Sequence, residues 1–230
     1  MTYVNINAED SGSFQAYFAS ADSKAPGLVL IQEIFGVNKV MRDLTDWYSS
    51  LGYNVICPDI FWRIESGVDI TDQTKEEWNK AFDLFGKFDV DQGINDLITS
   101  INYLRNIDNC NGKVGTVGYC LGGKLSYLLS CRSNADCNVS YYGVGIEGLL
   151  DESSKIKKPY LSHIAEKDSF VPKEAQQKIL ADLSGNDNCD LFIYPDQDHA
   201  FARVGGEHFN ENSANLANSR TKTFFEKHLF

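Results

Sequence analysis

Residues 118–123 read Gly-Tyr-Cys-Leu-Gly-Gly, preceded by the apolar run Val114-Gly115-Thr116-Val117 and followed by Lys124-Leu125-Ser126-Tyr127-Leu128-Leu129, which reads as a helix. A strand that enters a helix through Gly-x-Cys-x-Gly is a nucleophile elbow with cysteine in the usual place of serine. The turn is sharp and strained at its middle residue, so its neighbours must be small; side chains at Gly118 and Gly122 would collide. Such an elbow needs a sheet whose strand end lifts Cys120 and a helix whose N-terminus points at it. That terminus carries unpaired backbone N–H groups and a partial positive charge. Both favour a thiolate and, later, an oxyanion. The competing reading of Cys120 is a small buried apolar residue, the commonest use of a free cysteine.

The rest of the chain alternates in the way that an elbow requires. Gly27-Leu28-Val29-Leu30-Ile31 is an apolar run of the kind buried on both faces of a parallel sheet. Residues 39–51 carry Val40, Leu44, Trp47, Tyr48 and Leu51 near helical spacing, and Tyr53 to Cys57 is a second strand closed by Pro58-Asp59. A loop over 59–72 leads to helices over 73–86 and 90–107. Strands follow at 113–117, 138–142, 159–164 and 189–194, with helices over 172–183 and 211–229. The pattern predicts an α/β fold: a mostly parallel central sheet with helices on both faces, in one domain over residues 1–230. In such sheets ligands bind beyond the carboxyl ends of the strands.

Composition narrows the class. No apolar run approaches the ~18 residues of a membrane span, and the first ten residues lack the basic and apolar regions of a signal peptide. A cytoplasmic protein is expected. The six cysteines form no Cys-x-x-Cys pair and no metal-ligand spacing, so free thiols are expected and no metal or cofactor. A net charge of −11 argues against nucleic acid and anionic membranes as partners. A small molecule, and a monomer or weak homo-oligomer, are expected instead.

A thiol nucleophile needs a base and a group that orients the base. In hydrolases of this sheet type the order along the chain is nucleophile, acid, histidine. After Cys120, the strand ending at Ile164 runs into Ala165-Glu166-Lys167-Asp168-Ser169-Phe170-Val171-Pro172, and the strand ending at Tyr194 runs into Pro195-Asp196-Gln197-Asp198-His199-Ala200-Phe201. Asp168 and His199 fall on successive strand-end loops in that order. Glu166 competes with Asp168 as the acid. His163 lies within a strand and is expected to pack, His208 and His228 to sit at the surface, and Asp196 and Asp198 to be turn carboxylates.

With these residues in place the chain resembles the dienelactone hydrolase family, α/β-hydrolase relatives with a cysteine nucleophile. The resemblance rests on Gln32-Glu33-Ile34-Phe35-Gly36-Val37-Asn38, Cys57-Pro58-Asp59, Gly112-Lys113-Val114-Gly115, Gly118 to Gly123, Tyr141-Tyr142-Gly143-Val144-Gly145 and His199-Ala200-Phe201-Ala202-Arg203. It implies a Cys120–His199–Asp168 triad and a Glu33 that contacts the resting thiol, keeping it protonated and less prone to oxidation. It also implies an oxyanion hole from the backbone N–H groups of Leu121 and Ile34, and an Arg203 that binds a substrate carboxylate. Phe35, Tyr142, Trp78 and Phe82 complete the expected substrate-binding set. Trp78 and Phe82 depart from the family, which places an arginine and a tyrosine before the pair matching Phe88-Asp89; this puts the anionic clamp in doubt.

The expected activity is hydrolysis of a lactone or small ester, dienelactone-type and carboxylated, through an acyl-thioester. The alternatives are a broad carboxylesterase or thioesterase on the same triad, and a non-enzymatic thiol redox sensor or binding protein.

Overall fold

The chain begins with two strands that the alternating pattern does not announce. β1 (Thr2–Asn7) and β2 (Ser13–Ala19) pair antiparallel, Asn7 opposite Ser13, and β2 continues antiparallel against β4 (Asn54–Pro58). An antiparallel strand can leave one face in water, so its sequence alternates and shows no continuous apolar run. Ser13 to Ala16 alternates in this way, with Phe14 and Ala16 buried and Ser13 and Gln15 exposed, before the strand closes on Tyr17, Phe18 and Ala19. Strict strand–helix alternation is therefore corrected at the N-terminus.

The computed structural model describes residues 2–230, which divide into two compact units, Met1–Gly115 and Thr116–Phe230. In the first unit the strand order is β1-β2-β4-β3-β5, where β3 is Ala25–Ile31 and β5 is Cys110–Tyr119. β3 and β4 run parallel, and every residue of β3 is buried, as its unbroken apolar run requires. Three helices accompany these strands: α1 (Lys39–Ser50), α2 (Lys75–Lys87) and α3 (Val90–Arg105). Each opens on a side chain that accepts an otherwise unpaired first-turn N–H: Asn38 from Met41, Thr74 from Glu77, and Asp89 from Asp91 and Gln92.

β5 runs on into the second unit, where the order is β5-β6-β7-β8, with β6 at Cys137–Tyr141, β7 at Tyr160–Ala165 and β8 at Cys189–Tyr194. β6, β7 and β8 are parallel, and their register aligns Ala165 with Tyr194 at the carboxyl ends. α4 (Leu121–Arg132) packs on β6, α6 (Glu211–Leu229) on β6 and β7, and α5 (Lys173–Leu183) against β8. Short 3-10 turns over 146–148 and 150–155 fill the stretch that the sequence left unassigned.

The core of this unit is aromatic, and its buried histidine is paired on both ring nitrogens. His163 is fully buried, with Nδ1 2.7 Å from the Tyr194 hydroxyl and Nε2 2.8 Å from Thr221 Oγ1. Burial, aided by the charge of Arg220, pushes its pKa well below the ordinary value, so it packs as a neutral ring. The bounds expected for β8 and α6 coincide with those observed, and the others fall within a few residues.

Candidate active site

Cys120 stands between β5 and α4 with φ 56° and ψ −113°, a backbone state that side chains rarely adopt. Such strain costs about 1–3 kcal/mol and persists only where the surroundings enforce it. Here they do. The Cys120 N–H donates to the carbonyl of Tyr141 at 3.0 Å, and its own carbonyl accepts from Lys124 at 3.2 Å. A Cβ on Gly118 would lie 1.9 Å from the carbonyl oxygen of Gly122, and one on Gly123 would lie 2.7 Å from that of Tyr141. Both glycines are fixed by close backbone approach. No side chain caps α4, so its first N–H groups, beginning with Leu121, have no capping side-chain acceptor.

The loop after β7 carries Asp168 and the loop after β8 carries His199. His199 Nδ1 lies 2.9 Å from Asp168 Oδ2 and 3.1 Å from Oδ1. The side chains are 4% and 1% exposed. Asp168 Oδ1 also accepts from the backbone N–H groups of Phe170 and Val171. Glu166, the competing acid, is exposed and instead accepts from the N–H of Asp196.

His199 Nε2 is buried and makes no hydrogen bond. It nevertheless lies near enough to Cys120 for a thiolate to act on the ring. Burial alone would lower the imidazole's pKa, but the charge of Cys120 and the bond to Asp168 outweigh it and raise the value from 6.5 to about 10. The arrangement can hold a proton on the imidazole nitrogen. Burial pushes the thiols of Cys57, Cys131 and Cys189 up, which keeps them weak nucleophiles.

Two aromatic rings frame His199. Tyr142, at the end of β6 with φ 38°, meets it edge-on at 5.1 Å, and Phe170 does so at 4.8 Å from the acid loop. Phe170 was not among the expected site residues. Its ring is 45% exposed, so an apolar side chain faces solvent directly beside a buried imidazole. Arg203 is 7% exposed, which corrects the alternative of a surface arginine. Among the other histidines, His208 is exposed and His228 is half-buried against the ring of Phe224.

The remaining expected residues lie in the first unit. Glu33 and Ile34 lie in the turn after β3 and are both buried. Phe35, Trp78 and Phe82 meet one another: Phe35 is edge-on to Trp78 at 5.1 Å, and Trp78 stacks on Phe82 at 5.4 Å. The Trp78 indole N–H is spent on the carbonyl of Asp72, and Phe82 is 47% exposed. This surface is aromatic rather than ionic. Among the described residues no group of three or more His, Cys, Asp or Glu side chains could hold a metal ion, and no helix is long and apolar enough to cross a membrane.

The geometry has counterparts among known proteins. A sequence profile of the dienelactone hydrolase family matches residues 14–229. A putative carboxymethylenebutenolidase of Azospirillum brasilense is 50% identical over the full length of both chains. The carboxymethylenebutenolidase of Pseudomonas putida is 37% identical over 96% of this chain and 94% of its own. The crystal structure of a putative dienelactone hydrolase from Klebsiella pneumoniae superposes with a TM-score of 0.84 at 23% identity, covering 99% of this chain and 100% of its own. The fold is that of the α/β-hydrolases, and with its profile matched almost from end to end, the chain belongs to the dienelactone hydrolase family.

Proposed function

We propose that the protein hydrolyses a lactone or small ester bearing a carboxylate, with Cys120 as nucleophile, His199 as base and Asp168 as its orienting acid. Family membership already makes the chain a hydrolase of ester bonds. One observation carries the finer reading: a buried imidazole has one nitrogen tied to a carboxylate and the other uncommitted, close enough to the elbow cysteine to be raised in pKa by it. A histidine used only for packing would have both nitrogens satisfied, as His163 does.

In this reading Cys120 Sγ attacks the carbonyl carbon, and its proton resides on His199 Nε2. The negative charge that develops on the carbonyl oxygen is met by the N–H of Leu121 at the uncapped start of α4. By family resemblance it is met by that of Ile34 as well. When the C–O bond breaks, His199 gives its proton to the leaving oxygen. It then takes one from water, which attacks the thioester and releases the acid and the thiolate. Asp168 holds the ring's tautomer throughout. Glu33 contacts the thiol, again by resemblance, within one α/β-hydrolase domain over residues 1–230. Arg203 binds the substrate carboxylate, and Phe35, Tyr142, Trp78 and Phe82 contact its carbon skeleton.

A second reading, a broad carboxylesterase, draws on the stack of Phe35, Trp78 and Phe82, which offers an apolar aromatic surface. Hydrolysis of a carboxylated dienelactone beside p-nitrophenyl acetate, in wild type and Cys120→Ala, separates the two. Cysteine-dependent turnover that strongly favours the dienelactone supports the first reading. Turnover of the simple ester alone keeps the mechanism and moves the substrate. Full activity in Cys120→Ala would remove the nucleophile from this account, and folded protein inactive on both would favour a thiol sensor.

A further inference from the structure

We propose that Asp198 is a positioning residue for His199: its carboxylate ties the loop that carries the acid to the loop that carries the imidazole. The inference rests on the reading of His199 as the base. One oxygen makes the tie. Asp198 Oδ1 accepts from the backbone N–H of Ser169 at 2.8 Å and from that of His199 at 2.6 Å. Ser169 is the residue next to Asp168, so one atom joins the neighbour of the acid to the base's own backbone. The side chain is 30% exposed, and its second oxygen lies 3.9 Å from His208 Nε2.

The histidine loop needs such a tie. Asp196 (φ 61°) and Ala200 (φ 63°) bracket His199, and both are non-glycine residues in left-handed conformation. A backbone of this kind relaxes unless contacts over-determine it. Other links between the two loops run from Lys167 N–H to the Gln197 carbonyl (2.8 Å), from Asp196 N–H to Glu166 Oε2 (2.9 Å) and from Lys167 Nζ to Asp196 Oδ1 (2.6 Å). They involve exposed side chains or sit before the histidine. Among the described residues, only the Asp198 carboxylate reaches the backbone N–H of His199 itself. Burial would raise the pKa of Asp198, but the N–H groups of His199 and Ser169, together with His208, hold it below the ordinary carboxylate value. The acceptor is therefore charged at neutral pH, which strengthens both bonds. The sequence presented Asp198 as one more turn carboxylate; only the arrangement of the two loops distinguishes it.

The test compares wild type, Asp198→Ala, Asp198→Asn and His199→Ala. It reads kcat and KM on p-nitrophenyl acetate, thermal unfolding, and the downfield proton resonance of His199 Nδ1–H, identified by its loss in His199→Ala. In Asp198→Ala kcat is expected to fall about 10- to 100-fold, the scale of a small misplacement of a reacting group. KM should stay within about threefold, and the resonance should broaden or shift in folded protein. Asp198→Asn keeps an acceptor oxygen and should recover most of the rate. A folded Asp198→Ala with wild-type kcat and an unmoved resonance overturns the proposal, as does a loss of rate that only tracks unfolding while the resonance stays in place. If Asp198→Ala does not fold, the resonance of Asp198→Asn decides: a shift from the wild-type position, as the charged acceptor becomes neutral, supports the tie, and an unmoved resonance overturns it. If the wild type shows no His199-dependent hydrolysis, the functional reading fails, and the resonance alone still tests the positioning.

Discussion

The Cα of Gly118 faces the carbonyl oxygen of Gly122 so closely that a methyl group on it would sit 1.9 Å from that atom. Both partners are backbone, so no rotamer change can relieve the collision. Gly118→Ala is expected to lose at least about 3 kcal/mol of stability, beyond the usual overpacking cost. Urea denaturation measures the loss. A cost near zero would mean that the elbow is not built this tightly.

His199 gives a pH dependence with a definite sign. Its pKa is raised from 6.5 to about 10 in the folded chain, chiefly by the charge of Cys120 acting against burial. A raised pKa means that the folded state holds the proton more tightly than the unfolded one. The resulting stabilisation is fully present below pH 6.5 and is lost as pH rises toward 10. Cys120→Ala removes the largest favourable contribution, so its melting temperature should fall less over this range than that of the wild type. The imidazole of the variant should titrate lower by NMR. An imidazole that titrates unchanged in Cys120→Ala would refute the coupling.

The buried hydroxyl chain around His163 has a direction. The Tyr141 hydroxyl donates to Asn218 Oδ1 at 3.0 Å, so it accepts from Thr221, 2.7 Å away. Thr221 Oγ1 must then accept from His163 Nε2–H, which leaves Nδ1 to accept from Tyr194. Nitrogen-15 NMR should find His163 as the neutral Nε2–H tautomer. Thr221→Val leaves the His163 Nε2–H without its acceptor and should cost about 1–3 kcal/mol. The opposite tautomer would reverse the chain.

Phe82 tests the aromatic surface. Its ring is 47% exposed, so Phe82→Ala should leave stability nearly unchanged. If the ring contacts substrate, KM for aryl or alkyl esters should rise about 3- to 10-fold, the worth of one aromatic contact. Unchanged kinetics across an ester panel would remove Phe82 from the binding set.

The elbow was legible because its chemistry is local: a strand, a strained residue and a helix occupy consecutive positions 110–132. Asp168 and His199 could be read by chain order, since each lies in the loop after a strand, β7 and β8. The opening hairpin was not, because Ser13 to Ala19 is half-solvated and its apolar run is only the four residues Ala16 to Ala19. The work of Asp198 and the ring of Phe170 were hidden for another reason. Each depends on what a side chain reaches across two loops, and spacing along the chain does not record that.

The placement of the indoles has a practical consequence. All three tryptophans, Trp47, Trp62 and Trp78, belong to the first unit, whereas the strained cysteine, the imidazole and its carboxylate belong to the second. Red-edge excited fluorescence therefore watches one half of the chain while thiol labelling at Cys120 watches the other. A denaturation followed by both signals would show whether the halves melt together or in turn.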